Sequence, residues 1–313
     1  MIMSTAIQSE VRSDARPKGT RLLNVISVDV EDYFHAETFA DLVQRSKWES
    51  YPSRVEDNTQ KLLDLFARLN VEATFFVLGW VAERFPKLVR AIGAAGHEVA
   101  CHSYWHRLIY KLNPKEFHED TYRAKQVIEQ AAGAQIYGYR APTYSIVMSS
   151  LWATDILAEL GFTYDSSIFP THHDRYGIPS APRFPFVINT ASGPLIEYPI
   201  ATFRLWGDLN FPFGGGGYLR LLPWWYNRLG FLRAETEGIP AVVYIHPWEV
   251  DAQQPRFKAR LRSRLRHYRN LGKTCGRLEK MLRRGNFTSF RDSGLATTAK
   301  PVDLNTWGKN GSR

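Results

Sequence analysis

Strand-like apolar segments alternate with amphipathic helical segments through the first half of the chain, and this alternation most constrains the fold. Residues 22–30 (LLNVISVDV) form a β-branched apolar run, residues 58–69 carry apolar side chains at helical spacing, and residues 73–78 (ATFFVL) return to a strand pattern. The same order repeats as far as residue 165. It predicts an α/β fold of parallel strands and crossover helices, either as an open sheet or as a barrel.

The composition is typical of a folded globular protein. Of the 313 residues, 44% are hydrophobic and 23% are charged, which excludes intrinsic disorder and coiled coil as the dominant state. The two cysteines, Cys101 and Cys275, are too few for a disulfide framework. Residues 1–20 hold no apolar run of signal-peptide length, so we expect a cytoplasmic protein, free or peripheral to the inner membrane.

The net charge of +9 comes from one segment, residues 256–284, which holds twelve Lys/Arg and a single acid, Glu279. An apolar stripe at helical spacing runs through this segment at Phe257, Leu261, Leu265 and Tyr268. We therefore expect a helix that packs its stripe on the rest of the domain and leaves its arginines outside. Those arginines could contact an anionic polymer or a membrane surface, and no specific nucleic acid partner is expected.

Polar side chains recur directly after the apolar strand-like segments. These residues are Asp29, Glu31, Asp32, His102, His106, Arg140, Asp165 and His246. In barrels and open sheets of parallel strands, the carboxyl ends of the strands meet at one edge. The pattern therefore predicts that these side chains share one cleft.

The histidine pair His102 and His106 suggests a metal site. On a helical turn, two imidazoles four residues apart lie on one face, near enough to share a cation. The segment VDVED (residues 28–32) offers the carboxylate that would complete a three-ligand hydrolytic site. If this segment stays extended, Asp29 and Glu31 point to one face and Asp32 to the other. The alternatives are an incidental histidine spacing and a solvated strand end or helix cap.

Each of the remaining polar residues could have a structural role instead of a functional one. Arg140 follows a short apolar strand and should have a carboxylate partner, or else be an ordinary surface arginine. Asp165 could simply cap the next turn. His246 ends an apolar strand, where a lone histidine is more often a structural hydrogen-bonding residue than a catalyst.

Five motifs in sequence order give a resemblance to a known family. VDVED, HSYWH, YRAPTY, YDSS and YIHPWE resemble the motifs of the polysaccharide deacetylase family, also called the NodB-homology domain or carbohydrate esterase family four. The region from about residue 169 to residue 290 further resembles the subgroup linked to exopolysaccharide and exosortase loci. The resemblance implies a distorted (β/α)7-type barrel and metal-dependent hydrolysis of N-acetyl groups on an amino-sugar polysaccharide or oligosaccharide.

The resemblance also implies a role for each matching residue. Asp29 resembles the general base, Arg140 the residue that orients it, and His246 the general acid with Asp165 as its polar support. His102 and His106 resemble the imidazole ligands of a divalent metal ion, for which zinc is expected. Their carboxylate partner is Glu31 or Asp32, because this sequence has D-V-E-D where the family commonly has adjacent aspartates. Strand alternation favours Glu31.

Three further residues are implied on the substrate side of the site. Thr143 stands where the family usually has an aromatic residue, so the amide of either Thr143 or Tyr144 meets the oxyanion. Trp248, in the last motif, is expected to contact substrate. The family role implies exopolysaccharide biosynthesis; the alternatives are a small-molecule amide or cyclic imide hydrolase on the same barrel and a non-catalytic carbohydrate-binding scaffold.

The expected domain organisation has four parts. Residues 1–20 form a flexible N-terminal tail, and residues 21–255 form the deacetylase-like barrel. Residues 256–292 form a basic helical extension packed on the barrel, and residues 293–313 form a disordered tail.

Overall fold

The computed structural model describes residues 22–307. The predicted flexible tail over residues 1–20 lies outside the described residues. The described chain forms strands β1 Leu23–Val30, β2 Thr74–Val77, β3 Glu98–Cys101, β4 Gly138–Tyr139, β5 Tyr164–Asp165, β6 Phe186–Thr190, β7 Gly193–Glu197, β8 Thr202–Arg204, β9 Asn210–Pro212, β10 Val242–Ile245, β11 Asn286–Thr288 and β12 Lys300–Pro301. Its α-helices are α1 Val55–Leu69, α2 Gly79–Arg84, α3 Pro86–Ala94, α4 Pro114–Ala132, α5 Ala153–Glu159, α6 Gly216–Leu221, α7 Trp224–Glu237, α8 Leu261–Tyr268 and α9 Leu271–Leu282.

The main sheet has the order β10-β1-β2-β3-β4-β5-β7-β6-β12, and β11 also pairs with β1. Neighbouring strands from β10 to β7 are parallel, while β6 and β7 form an antiparallel pair. The predicted α/β fold with parallel strands is therefore confirmed. The ladder is open between β7 and β10, where the backbone amide of Ala201 donates to the carbonyl of Val242 at 3.0 Å. This hydrogen bond connects the two sides of the gap, where no strand pairing is present within the described residues.

The sequence explains why β1 lies at the centre of the sheet. All of its residues except Leu23 are buried, as expected for a β-branched apolar run with parallel neighbours on both sides. The helical segment between β2 and β3 is divided into α2 and α3. Phe85 has φ −123° and ψ 56°, outside the helical region, because the following Pro86 disfavours a helical residue before it.

Helix α8 differs from the prediction in the face that it buries. Leu261 and Leu265, expected to pack on the domain, are 68% and 50% exposed. The buried residue of this helix is His267, whose Nε2 lies 2.7 Å from Gln254 Oε1 and whose ring stacks on Trp248 at 4.1 Å. The helix is thus anchored through a polar ring, which an apolar pattern does not reveal.

The C-terminal segment also differs from the prediction, which was a disordered tail from residue 293. Strand β12 pairs with β6, and the buried Trp307 packs edge-on against Phe186 with ring centroids 5.5 Å apart. Isolated apolar residues therefore fix a segment whose composition is mostly polar. Within residues 22–307, no helix has the length and apolar character needed to cross a membrane.

Candidate active site

A cavity of about 400 Å³ opens where β1, β3 and β10 end. The predicted site residues that line it are Asp29, Glu31, His102, His106, Thr143, Tyr144, His246 and Trp248. Because these strands run parallel, residues more than two hundred positions apart in the sequence meet at their carboxyl ends. Arg140 reaches the same place from behind, whereas Asp32 and Asp165 do not line the cavity.

Glu31, His102 and His106 form a candidate metal centre. One ligand atom from each lies within 4.8 Å of the others, and all three side chains are buried. Glu31 Oε2 is 2.8 Å from His106 Nε2 but makes no hydrogen bond of acceptable geometry within the described residues. Close donor atoms without hydrogen-bond geometry fit a shared cation, and two imidazoles with one carboxylate suit a hydrolytic metal. The three residues therefore fit a divalent ion.

The orientation of His102 is fixed by a backbone group. Its Nδ1 lies 2.8 Å from the carbonyl oxygen of Arg140, so Nε2 is left to face Glu31 and His106. Burial lowers the pKa of His102 to about 4, which keeps the imidazole neutral. A neutral imidazole is the form that binds a metal.

The segment from His102 to His106 is not the helical turn that the sequence predicted. Ser103 and His106 have φ of 61° and 51°, and the backbone is irregular between them. Asp120 of α4 holds this loop by accepting hydrogen bonds from the amides of Tyr104, at 2.8 Å, and Trp105, at 3.2 Å. The two imidazoles therefore meet because a buried carboxylate shapes the loop.

Glu31 is held as a carboxylate. Burial alone would raise its pKa, but the neighbouring His106 and the positive charge of His246 outweigh burial and hold the pKa well below its usual range. The indole Nε1 of Trp248 donates to Glu31 Oε1 at 3.1 Å. Trp248, expected on the substrate side, thus contacts the carboxylate of the candidate metal centre as well as the cavity.

Asp32 is turned away from the candidate metal centre. Its carboxylate accepts hydrogen bonds from the Ser53 hydroxyl and from the backbone amides of Arg54 and Tyr33. Burial raises the pKa of Asp32 to about 6. Of the two acids that the sequence offered, the geometry favours Glu31.

Asp29 is paired with a fully buried arginine. Arg140 Nη1 lies 2.7 Å from Asp29 Oδ1, and the same guanidinium donates to the hydroxyl of Ser27 and to both the carbonyl and the hydroxyl of Ser166. Burial opposes the charge of Arg140, but Asp29 outweighs burial and the pKa of Arg140 is raised. The predicted carboxylate partner of Arg140 is thus Asp29, whose second oxygen stays at the cavity.

His246 lies opposite Asp29 across the cavity floor. Its Nε2 is 3.9 Å from Asp29 Oδ2 and 3.5 Å from Glu31 Oε1, while its Nδ1 is 2.7 Å from Glu249 Oε1. Burial opposes protonation, but the hydrogen bond to Glu249 and the neighbouring carboxylates raise the pKa of His246 to about 9. Glu249 is not among the site residues predicted from the sequence. Its position three residues after His246 in HPWE is the signal that could have indicated it.

The predicted support of His246 by Asp165 is wrong. The carboxylate of Asp165 accepts from the Ser167 hydroxyl at 2.5 Å and lies beside Glu197, and burial raises its pKa to about 6. Asp165 ends β5, which is four positions from β1 and five from β10 in the sheet order, and no contact with His246 is found for it within the described residues. The supporting carboxylate of His246 is Glu249.

Thr143 and Tyr144 both have left-handed backbone conformations, with φ of 55° and 53°. The Tyr144 amide donates to the carbonyl of Ala141 at 3.1 Å. This bond occupies one of the two amides proposed to meet an oxyanion. The geometry therefore favours the amide of Thr143.

Comparisons with known proteins divide the chain in two. Residues 38–164 match the model of the family described as polysaccharide deacetylase, and residues 166–294 match a domain of unknown function called DUF3473. Asp29 and Glu31 precede the first match, His102, His106 and Arg140 lie within it, and His246 lies in the second. The fold thus assembles one site from three stretches of sequence.

Curated relatives match the first part of the chain. A peptidoglycan-N-acetylglucosamine deacetylase of Bacillus cereus is 36% identical over 98 residues, which cover 31% of this chain and 36% of the relative. A chitooligosaccharide deacetylase of Bradyrhizobium sp. is 33% identical over 100 residues, which cover 32% of this chain and 43% of the relative. The chain thus spans less than half the length of these relatives.

One solved structure matches nearly the whole fold. It comes from Mycobacterium smegmatis, is described as a polysaccharide deacetylase, and superposes with a TM-score of 0.62 at 19% identity over 92% of this chain and 95% of its own. At this identity the likeness concerns the fold. The family match therefore shows that residues 38–164 carry a polysaccharide deacetylase domain, and the solved structure shows that the chain shares the fold of such a protein.

Proposed function

We propose that the protein is a metal-dependent hydrolase that removes N-acetyl groups from an amino-sugar polysaccharide or oligosaccharide. The observation that carries this proposal is the convergence of three kinds of group on one cavity floor. These are the Glu31, His102 and His106 cluster, the Asp29–Arg140 pair, and His246 with Nε2 3.9 Å from Asp29 Oδ2. Metal-assisted amide hydrolysis uses this combination of a Lewis acid, a base and an acid.

Glu31, His102 and His106 would hold the metal, and zinc suits this donor set best. A divalent ion at this position supplies Lewis-acid polarisation of the acetyl carbonyl and of the attacking water. Trp248 and the carbonyl of Arg140 orient two of the three ligands, as outer contacts do in metal sites. Asp32 takes no part in this set.

The chain's own residues carry the proton transfers. Asp29, oriented by Arg140, accepts a proton from the water that attacks the acetyl carbon. His246, kept protonated by Glu249, gives its proton to the sugar nitrogen as the carbon–nitrogen bond breaks. The amide of Thr143 donates to the oxygen that becomes negative in the transition state. The products are acetate and a free amino sugar.

The substrate class is supported by the relatives' names, which refer to peptidoglycan N-acetylglucosamine and to chitooligosaccharide. Because those matches cover only about a third of this chain, the substrate remains part of the proposal. The alternatives are a small-molecule amide or cyclic imide hydrolase and a non-catalytic carbohydrate-binding scaffold. The intact base, acid and ligand set argues against the scaffold.

The test is acetate release from N-acetylated chitooligosaccharides, with a cyclic imide as the competing substrate and with chelator in a parallel arm. We expect acetate release that chelator abolishes and that one divalent ion per chain restores. Hydrolysis of the imide alone would overturn the substrate class. Glycan binding without hydrolysis in the metal-loaded protein would favour the scaffold.

Metal analysis of two matched variants tests the ligand set. Glu31→Gln should lower the apparent metal affinity by roughly 100-fold or more, whereas Asp32→Asn, whose amide can still accept from Arg54, should retain the metal. Metal loss in the Asp32 variant with full retention in the Glu31 variant would reverse this assignment.

The sequence predictions of a role in exopolysaccharide synthesis and of a cytoplasmic location complete the proposal. An N-acetylated intermediate made inside the cell would then be the substrate, and the basic segment over residues 256–284 would contact an anionic polymer or a membrane surface. Cell fractionation checks the location. Recovery of the protein outside the inner membrane would contradict it.

A further inference from the structure

Helix α8 presents apolar side chains to solvent. Leu261 and Leu265 are 68% and 50% exposed, and one helical turn separates them, so they lie side by side on the outer face. Exposed single leucines are common on proteins, but a pair on the outer face of an eight-residue helix forms a small apolar surface. We name Leu261 and Leu265 the leucine pair.

Basic side chains surround the leucine pair. At 100° per residue, Arg262 and Arg266 lie on one side of the two leucines and Arg264 lies on the other. These three arginines, together with Lys258 and Arg260 before the helix, are exposed, and none forms an ion pair with an acid within the described residues. Five exposed cations thus lie within α8 or just before it without an ion-pair partner within the described residues.

This surface lies at the mouth of the catalytic cavity. Arg266 and His267 of α8 line the cavity beside Trp248 and His246. The buried Arg220 fixes the helix there, because its Nη1 and Nη2 donate to the carbonyls of Arg269 and Arg266 at 2.7 and 2.8 Å while its Nε donates to Glu249. The helix is therefore rigidly tied to the residue that supports His246.

We propose that α8 docks on an anionic lipid surface and sets the cavity mouth at the level of the lipid headgroups. The leucine pair favours a lipid surface over a soluble polyanion. A polyanion can pair with the arginine charges, but it removes no apolar surface from water. A lipid interface does both, since charged and apolar contributions add there. Arginine side chains can bury their stems in the interface while their guanidinium groups reach the headgroups.

The proposal names the substrate class, and in this it rests on the proposed deacetylase function. A cavity held at headgroup level meets N-acetylated sugars that a membrane lipid carries, in preference to polymer in solution. Confinement to the same surface raises the effective concentration of substrate at the cavity. The preferred substrate is therefore an N-acetylated glycan attached to a lipid.

Vesicle sedimentation with the full chain tests the docking surface. The protein should bind phosphatidylcholine vesicles that contain phosphatidylglycerol, bind pure phosphatidylcholine vesicles weakly, and lose binding as salt is raised. The double variant Leu261→Ser/Leu265→Ser should bind the anionic vesicles roughly tenfold or more weakly. Arg262→Gln should weaken binding about fivefold. The matched controls are Leu232→Ser and Arg233→Gln, because both side chains are exposed on α7. Neither substitution should change binding to the anionic vesicles.

Binding to dextran sulfate separates lipid from polyanion. We expect the leucine variant to bind dextran sulfate as the natural protein does. Equal loss of vesicle binding in the α7 controls, or vesicle binding that the leucine variant retains in full, would overturn the proposal. Acetate release from a short soluble chitooligosaccharide should be the same in the leucine variant as in the natural protein. If the natural protein releases no acetate, the proposed function fails, while the vesicle-binding result still tests the docking surface.

Discussion

His246 is bordered by three carboxylates, and their balance decides how firmly its imidazole holds a proton. Burial opposes the positive charge, but Glu249, Glu31 and Asp29 outweigh burial and raise the pKa of His246 to about 9. Glu249 is itself fixed, because Arg220 Nε donates to its Oε2 at 2.9 Å. The proton of the proposed general acid is thus secured by a residue outside the cavity wall.

Substitution of Glu249 tests this arrangement. Glu249→Gln should lower kcat by roughly 10- to 100-fold, because the amide can hold the ring but supplies no negative charge. His246 stays protonated below its raised pKa, so removal of a carboxylate lets the proton leave at lower pH. The basic limb of the pH–rate profile should therefore move to lower pH, which steady-state rates on an N-acetylated chitooligosaccharide measure.

The matched control is Asp165→Asn, because Asp165 was the support expected from the sequence and does not contact His246. It should leave the basic limb of the profile where it is. If the limb stays fixed in the Glu249 variant and moves in the Asp165 variant, our assignment of the supporting carboxylate is reversed.

These residues also mark how far a site can be predicted from sequence. Strand alternation favoured Glu31 over Asp32 on the condition that the segment stays extended, but β1 ends at Val30 and the Glu31 amide donates to the Asp29 carbonyl at 3.0 Å, so a turn sets their directions. The position of Asp165 at a strand end said nothing about its hydrogen-bond partner. That choice depends on Ser167 and Glu197, which the fold alone brings together.

At the scale of single elements, α8 and the loop before α4 show where local patterns fail. An apolar stripe at helical spacing predicted the helix correctly, but His267 decides which face is buried because its ring stacks on Trp248. In the loop, Ser103 and His106 have positive φ, and Asp120 holds the residues between them by accepting hydrogen bonds from the amides of Tyr104 and Trp105. Both outcomes depend on partners about 15 to 19 residues away, which a pattern of neighbouring residues does not include.

Helix α8 yields a stability prediction that differs from the one its sequence suggested. Leu261→Asp and Leu265→Asp should each change the free energy of unfolding by less than about 0.5 kcal/mol, because both side chains already face water. Phe257→Ala should cost about 2 kcal/mol, since its ring contacts Tyr33, Phe39 and Tyr51. Urea denaturation measures the three values. Strong destabilisation by either leucine change would mean that the stripe packs after all.

At the scale of the whole molecule, residues 286–290 close the end of the sheet at which β1 begins. Strand β11 pairs with the start of β1, and the buried Phe290 contacts Phe76, Tyr164 and Tyr198 at centroid distances of 4.9 to 5.7 Å. The alternation of strands and helices predicted the α/β class. It could not predict this closure, because β11 is short and its partner lies at the opposite end of the chain.

Phe290 therefore tests whether the segment is part of the domain. Phe290→Ala should lower the free energy of unfolding by about 3 kcal/mol through the cavity that it leaves. Thermal and urea unfolding should both show a single transition, with its midpoint at a lower temperature and at a lower urea concentration than in the natural protein. The matched control is Phe184→Ala, because Phe184 is exposed and should tolerate the change. An unchanged Phe290 variant would make the C-terminal segment a detachable appendage.

The buried acid pair Asp165 and Glu197 should make the stability of the whole chain depend on pH. Burial raises the pKa of Asp165 to about 6, and burial together with the charge of Asp165 raises the pKa of Glu197 well above its usual value. The folded state therefore keeps protons that the unfolded chain releases near pH 4, so stability falls as pH rises from about 4 through 6 and beyond. The folded state loses stability at high pH because it must either bury the two charged carboxylates or keep protons that the unfolded chain releases.

Glu197→Gln should remove one of these titrations while keeping the hydrogen bond that Glu197 Oε1 accepts from the Ile168 amide at 2.8 Å. At pH 8 the variant should be more stable than the natural protein by about 1–2 kcal/mol, and near pH 3 the two should agree, because the natural carboxyl is then protonated in both states. Urea denaturation across this range gives the two curves, with the exposed Glu159→Gln as control. A uniform loss of stability at every pH would instead show that Glu197 serves only as a hydrogen-bond acceptor, and the charge argument would fail.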